Sequence, residues 1–462
     1  MSKPVFPRSL RAARCGLCAL SAGMFACAGS SSDASSHDGG ASAPKGDSGA
    51  SISPGGGDAG TSAADAGFMG TFRHPGVLVN GPQLALLTSQ IADGGALRTA
   101  ALDDAKTHLD SDFSNMQWAS LTYVANPPKS ICCGSESSPD VGCKAEQFDV
   151  EAAYADALIW ALTGDEAYAK QSIAIMNAYG AVQPTHYAPT ASCTDATGVT
   201  GLSSNTPVQS GWCGSVFPRA AEIMRSYSGW AQADIDKFST MLEGLYVPNL
   251  IVGSLADNGN YELSMADALI QIGVFLDDAS TFNAGLAFWR RRVPAYIYMA
   301  SDGKTPVMLA GEGATWNATN YVDGLCQETC RPSDQLHHCQ LGFAAMINGA
   351  ETARIQGVDL YSEQAARVVA GLELEAGYLN GLMTPDPGCV TSKGVATAFS
   401  TFVTGAKATQ MWEIAYNHYA TRLGMALPQT LQVVQHVRPT NVDHHMDWET
   451  LTHAEVGSVG LE

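Results

Sequence analysis

VEAAYADALIWAL, residues 150–162, runs into Thr163-Gly164-Asp165 and then EAYAKQSIAIMNAY, residues 166–179, ending at Gly180. Apolar side chains recur at three- and four-residue intervals on both sides of a turn-forming break, so the stretch predicts two helices folded back on one another. Similar units recur at 214–227 with 231–245, at 262–276 with 280–292 and at 338–356 with 361–377. A helical pattern over 83–109 precedes them and one over 400–423 follows. No strand series competes, and the Gly-Asp, Gly-Val-Asp and Asp-Asp junctions suit helix–helix turns. Repeated hairpins over this length predict an all-α fold, an α/α toroid (an incomplete α/α barrel) or a helical solenoid. No fixed-period repeat is present, which argues against a tetratricopeptide-type solenoid. In a toroid the inner helices end at one rim, and polar residues at those ends face one groove suited to a linear polymer.

Hydrophobic residues make up 45% of the 462, enough for a sizeable core. The net charge of −20 leaves no basic surplus for phosphates, so nucleic acid is excluded as a partner. Lys3, Arg8, Arg11 and Arg14 precede the short apolar stretch Cys15 to Ala26, which ends in Met24-Phe25-Ala26-Cys27. Residues 1–27 therefore read as an export signal with a loose lipobox, and Cys27 as a candidate lipidated residue. Residues 28–67 are Gly, Ser, Ala and Asp with little apolar bulk, a tether rather than a fold. The folded domain is expected over 68–462, exported as an outer-membrane lipoprotein or as a secreted or periplasmic protein, with membrane attachment only through the lipid.

Beyond Cys27 lie nine cysteines: Cys132, Cys133, Cys143, Cys193, Cys213, Cys326, Cys330, Cys339 and Cys389. An exported chain meets oxidising conditions, so disulfides are expected, and an odd count leaves one thiol over. Cys132 or Cys133 with Cys143 would close one small loop, and Cys193 with Cys213 the next. Cys326 and Cys330 with His337, His338 and Cys339 fit no standard zinc framework, so no metal and no cofactor is assigned.

Three blocks carry candidate chemistry. Asn258-Gly259-Asn260-Tyr261-Glu262 opens a helical pattern, Cys326-Gln327-Glu328-Thr329-Cys330-Arg331 precedes another, and His337-His338 begins it. Either asparagine serves as an N-cap in the plain reading, but one cap needs one Asn and two flank the glycine. Amides, guanidinium, imidazole and carboxylate together suit a uronic-acid sugar from which a proton is removed beside the carboxylate. That elimination needs a neutralised carboxylate, a base for the C5 proton and an acid for O4. His338, on the first turns of its helix, is favoured as a neutral base. Arg290, Arg291 and Arg292 close a helix before Pro294, and of Tyr296 and Tyr298 beyond it Tyr298 is preferred for the site. The long connections 125–148, 180–212 and 300–336 carry His186, Trp212, Trp316 and Tyr321, aromatic groups suited to sugar stacking. Trp212 reads equally well as a plug over the following helix.

Asn258-Gly259-Asn260-Tyr261 leading an apolar helix, then Cys330-Arg331 with a polar residue seven on, resembles the alginate lyase superfamily. So do Gly342-Phe343-Ala344-Ala345-Met346, Glu351-Thr352-Ala353 and Gly357-Val358-Asp359-Leu360-Tyr361, and His74-Pro75-Gly76 resembles its N-terminal signature. The likeness covers roughly 72–380 and is greatest to polysaccharide lyase family 38, more distantly to family 5. It implies an α/α toroid and β-elimination on mannuronan or glucuronan. Family 5 opens the matching helix with Asn-Asn-His, so the histidine position falls on Asn260. It also has an Arg and a catalytic Tyr seven later, where this chain has Arg331 and His338. The phenol's role then passes to His338 or to a tyrosine such as Tyr298.

The expectation is a lyase for a β-1,4-linked polyuronate, an anionic polysaccharide. Asn260, Arg331 and Arg292 neutralise the carboxylate, and Tyr298 and His338 share base and acid duties. Asn258, Gln209, Trp212, Tyr261, Arg291, Glu328 and His337 line subsites. Two other readings stand beside it: a glycoside hydrolase using a pair among Asp257, Glu262, Asp267, Glu312 and Glu328, and a tethered glycan-binding lipoprotein without catalysis. Imidazoles in 435–453 either return to the cleft or form an exposed tail.

Overall fold

The computed structural model describes residues 67–459, apart from 111–112, 114, 136, 188–190, 203–204, 311–315, 331–334, 383, 390–410 and 440–447. The export signal, Cys27, the tether to residue 66, Glu312, Arg331, His444 and His445 lie outside the described residues. One compact unit spans Thr61–Glu462.

Helical hairpins build this unit. The helices are α1 (Gly81–Ala92), α2 (Ala96–Thr107), α3 (Cys143–Thr163), α4 (Glu166–Val182), α5 (Thr206–Met224), α6 (Gln232–Met241), α7 (Val247–Ala256), α8 (Gly259–Phe275), α9 (Ala279–Tyr296) and α10 (Gln335–Ile355). They continue with α11 (Leu360–Glu363), α12 (Ala365–Leu379), α13 (Trp412–Tyr416), α14 (Pro428–Val437) and α15 (Glu449–His453). Local chemistry sets the starts. The side chains of Asn80, Asp165, Asp278 and Asp359 accept backbone N–H bonds at the beginnings of α1, α4, α9 and α11, relieving groups that no helix satisfies internally. Gly94-Gly95 divides 83–109 into α1 and α2, and a π-turn at Leu242–Tyr246 carries α6 into α7.

The core lies around α3, α5, α8 and α10, which pack in that order, with α4 against α3 and α9 against α8. Every residue of α8 except Tyr261 is buried, the mark of a helix enclosed on all sides. Two apolar clusters flank it: Ile270, Phe282, Trp289 and Phe343 on one side, Leu269, Ile272, Phe217 and Tyr246 on the other. Gly211 lets α5 approach closely, since a Cβ there would stand 3.1 Å from the Met265 nitrogen of α8. The expected toroid of hairpins is this arrangement. Its strands are short: β1 (Leu109–Asp110) pairs with β2 (Met116–Gln117), β3 (Ser130–Ser135) with β4 (Ser138–Val141) and β5 (Thr185–His186), and β6 (Ser192–Thr194) with β7 (Thr200–Leu202). Among the described residues no helix is long and apolar enough to cross a membrane.

Of the C-terminal imidazoles in the described residues, His453 returns to the interior while His436 on α14 stays exposed. Trp448 and His453 are wholly buried, and Arg98 of α2 donates to the carbonyls of Thr450, Leu451 and Ala454. Glu351 of α10 pairs with Arg354 and Arg422 and lies 3.7 Å from His453. Cys132–Cys193 and Cys133–Cys143 staple the β3 region, while Cys326–Cys339 and Cys330–Cys389 staple the segment before α10. The expected Cys193–Cys213 pairing is therefore corrected. Among the described residues Cys213 is the free cysteine, buried inside α5, where helix geometry turns its sulfur toward Gln209.

His74 holds the entry segment to the unit. Its Nδ1 lies 2.8 Å from a Glu222 oxygen and its Nε2 2.9 Å from Asp277, with Arg225 bridging the same two carboxylates. The hydrogen bond and charge of Glu222, with a smaller contribution from Asp277, outweigh partial burial and raise the imidazole above its ordinary 6.5. A raised native pKa contributes stability that is fully present below the unfolded value and lost as pH rises through the native one. The melting-temperature advantage of wild type over His74→Gln is therefore expected to be largest below pH 6.5 and to shrink above it. An advantage unchanged from acid to alkaline pH contradicts this linkage.

Candidate active site

α8 begins where α7 ends, and the junction Ala256-Asp257-Asn258-Gly259-Asn260 turns sharply. Asn258 stands at the N-cap position, yet its side chain makes no capping bond. Gly259 follows at φ +61°, a conformation that other L-residues adopt only at a cost. The cap comes instead from a distant carboxylate. Glu328 accepts from the Asn260 backbone N–H at 3.0 Å and from Asn260 Nδ2 at 3.0 and 2.9 Å. A carboxylate at a helix start meets unsatisfied N–H groups and the positive end of the helix dipole, both favourable.

The same carboxylate draws in the end of α9. The Tyr296 hydroxyl lies 2.8 Å from Glu328 Oε2 and 3.0 Å from the His338 carbonyl, so its proton serves either acceptor. Gly342 makes room for that ring, since a Cβ there would come 2.3 Å from the Tyr296 oxygen. The Cys326–Cys339 disulfide ties the Glu328 segment to the first turn of α10, which carries His337 and His338 with ring centroids 6.1 Å apart. Starts of α8 and α10 and the end of α9 thus meet at one place.

Beside them opens a cavity of about 220 Å³, lined by Ala256, Asp257, Asn258, Asn260, Tyr261 and Glu328. Tyr261 is the half-exposed residue of α8, and Trp212 of α5 meets its ring edge-on at 6.4 Å. Burial lifts the Asp257 carboxyl to about 6, because little water solvates its charge.

Several expected site residues stand elsewhere or in different roles. Arg292 is buried and paired with Glu262, and Arg291 binds the same carboxylate and the Ser254 carbonyl. Arg290 pairs with Glu363. The arginine run therefore braces α7, α8 and α9 instead of supplying cations to the cavity. Gln209 is fully buried, donating to the Cys143 carbonyl and to Glu146. Glu146 also binds His186 and Tyr246; burial pushes its carboxyl up, and these partners outweigh that and hold it below the ordinary range. His186 and Gln209 are therefore interior groups, not a sugar-binding loop.

Tyr298 is 5% exposed, packs with Trp316 and Leu325, and donates to the Gly303 carbonyl at 2.7 Å. Tyr296 is the phenol that joins the Asn260 cluster. The missed signal was helical spacing: Pro294 lies inside α9, whose last residue is Tyr296, so the Tyr-Ile-Tyr run does not alternate as a strand. Asn260 also departs from its expected role. Its Nδ2 faces Glu328, so Oδ1 points the other way and has no partner among the described residues. The amide offers an acceptor, where a donor to a carboxylate was expected.

The acidic pairs of a hydrolase are mostly engaged. Glu262 is locked by two arginines, Glu328 by Asn260 and Tyr296, and Asp267 lies in the core bonded to Gln271 near Arg219. The thiols of Cys326, Cys330 and Cys339 are all in disulfides, which removes the sulfur ligands of a zinc reading.

Comparison with known proteins agrees with this architecture. The family model described as alginate lyase matches residues 126–380. Alginate lyase A1-III from Sphingomonas species A1 has the same fold at TM-score 0.58 and 14% identity, over 85% of this chain and 99% of that one. A histidine-to-alanine variant of alginate lyase A1-III complexed with a tetrasaccharide aligns at 0.57 and 15%, over 83% and 97%. An alginate lyase from Bacteroides ovatus aligns at 0.53 and 13%, over 82% and 99%. A search of curated protein sequences finds no match.

The Glu328 cap makes a sharp demand on residue 259. A Cβ there would lie 2.9 Å from Glu328 Oε2, at a positive φ. Gly259→Ala is expected to cost about 1–2 kcal/mol from the left-handed conformation alone and to displace Glu328. Glu328→Ala, which strands buried partners, is expected to cost roughly 1–3 kcal/mol. Denaturant melts check both, and a Gly259→Ala chain as stable as wild type contradicts the geometry.

Proposed function

The chain belongs to the alginate lyase family, and from that premise we propose that it is a polysaccharide lyase that cleaves β-1,4-linked polyuronate, mannuronan or glucuronan, by β-elimination. The observation that carries this reading is the cavity at the start of α8, where Asn258, Asn260, Tyr261 and Glu328 meet beside Trp212. A saccharide site wants such a mixture: hydrogen-bonding groups held rigidly, with an aromatic face at the rim.

Roles follow from the chemistry. The amide of Asn258 and the guanidinium of Arg331 neutralise the substrate carboxylate, which stabilises the carbanion-like state beside it. His338 takes the C5 proton. Mannuronate and glucuronate carry that hydrogen and O4 on one face of the ring, so the same imidazole returns a proton to the departing O4. Tyr296 holds the His338 backbone and Glu328 in register. Tyr261 and Trp212 border the sugar. This elimination calls for no cofactor. The chain acts after export, tethered through Cys27 or released, and four disulfides suit an oxidising compartment.

Ultraviolet absorbance during incubation with polymannuronate, polyguluronate and glucuronan tests the reading. A rise in the unsaturated-uronate band is expected with mannuronate or glucuronate polymer. His338→Ala is expected to lower kcat on the order of 10² or more, whereas Tyr298→Phe, whose phenol serves Gly303, should stay near wild type. New reducing ends without the unsaturated band contradict elimination, and full turnover by His338→Ala contradicts its role.

A further inference from the structure

In the interior of a 1,4-linked polyuronate each ring has only two hydroxyl groups. O1 and O4 are glycosidic and O6 belongs to the carboxylate, so the hydrogen-bond donors are O2–H and O3–H. Mannuronate and glucuronate differ at C2 alone, cis diol against trans diol.

The cavity wall contains two acceptors without a protein donor among the described residues, the buried Asn260 Oδ1 and the partly exposed Asp257 carboxylate. The Asp257 carboxylate lines it and makes no side-chain hydrogen bond among the described residues, and the one influence on its acidity is burial. At about 6 it is still mainly ionised at neutral pH, hence acceptor-only. Asn260, 1% exposed, lines the same cavity with Oδ1 unpartnered. Its orientation is chemically forced: Nδ2 faces both oxygens of Glu328, and reversing the amide would set oxygen against oxygen. A buried acceptor without a donor is costly, and an ionised carboxylate repels the carboxylate of the substrate. Both groups are satisfied by a ligand that brings hydroxyls to this wall and keeps its carboxylate on the other side.

We propose that Asp257, with Asn260 Oδ1 beside it, is the specificity-determining contact that accepts hydrogen bonds from the O2 and O3 hydroxyls of the uronate in the cavity. The inference rests on the lyase reading above and adds which edge of the ring faces α7. Asp257 reads the diol, and the C2 configuration is what it distinguishes. Sites that hydrogen-bond a substrate hydroxyl discriminate strongly because loss of the donor leaves a buried acceptor unpaired, here Asn260 Oδ1, while the ligand itself shuts water away from the partly exposed Asp257.

The test compares wild type, Asp257→Asn and Asp257→Ala on polymannuronate and glucuronan, with kcat and KM separated and folding checked by melting. Asp257→Asn is expected to raise KM at least about tenfold on the preferred polymer, to leave kcat within about threefold, and to shift the ratio of kcat/KM between the polymers by about fivefold or more. Unchanged KM and ratio in active Asp257 variants overturn the inference and leave the lyase reading intact. So does a fall in kcat at constant KM, which assigns Asp257 to proton transfer. A second measurement needs no variant. Wild type is expected to cleave O2,O3-acetylated polymer at least about tenfold less efficiently than the parent polymer, and equal efficiency overturns the inference. Wild type that forms no unsaturated product from any polymer defeats the lyase reading, and the inference with it.

Discussion

One carboxylate organises the candidate site. Glu328 enters the start of α8 from the segment before α10, takes the Asn260 backbone N–H and amide, and holds the Tyr296 hydroxyl. Three chain segments distant in sequence are thereby fixed at one point. The surrounding residues read as accommodations to it. Gly259 has no Cβ because Glu328 stands in that space, Gly342 has none because Tyr296 does, and the Cys326–Cys339 disulfide limits the freedom of the segment that delivers the carboxylate. A helix start capped by its own asparagine would have turned that side chain inward. With the cap supplied from elsewhere, Asn258 remains on the cavity wall.

Charge is distributed to the same end. With a net charge of −20, the chain needs the repulsion of the proposed polyanionic substrate managed locally. The arginines of α9 do not manage it, since each is already paired with Glu262 or Glu363. Their work is mechanical: Arg291 and Arg292 clamp α9 to α8, and Arg291 also reaches α7, so the strands of backbone on both sides of the cavity are braced. The acidic wall is tolerable for a uronate if its hydroxyl edge faces Asp257.

Much of the fold was legible because helical hairpins advertise themselves locally. The periodic run 150–162, its Gly164 stop and the Asp165 cap are all visible within twenty residues, and α3 and α4 follow them. The gathering of Asn258, Asn260, Tyr261 and Glu328 was also readable, as polar residues at helix starts in a toroid meet on one rim. Sequence failed where the answer depended on long-range geometry. Cys132 pairs with Cys193, 61 positions away, and not with a near neighbour. Gln209 faces Glu146 because α5 begins at Thr206, earlier than its apolar pattern implied. Tyr296 rather than Tyr298 meets Glu328 because α9 continues past Pro294. Which arginines were already neutralised followed only from which glutamates lay opposite them.

The most direct test of the central claim, that the cavity at the start of α8 eliminates rather than hydrolyses, is the mass of products from a defined oligouronate digested in water enriched in heavy oxygen. The account requires product pairs one water lighter than hydrolysis would give, free of heavy oxygen, in wild type and strongly diminished in Asn260→Ala. Incorporation of heavy oxygen at the new ends, or undiminished cleavage by Asn260→Ala, contradicts it.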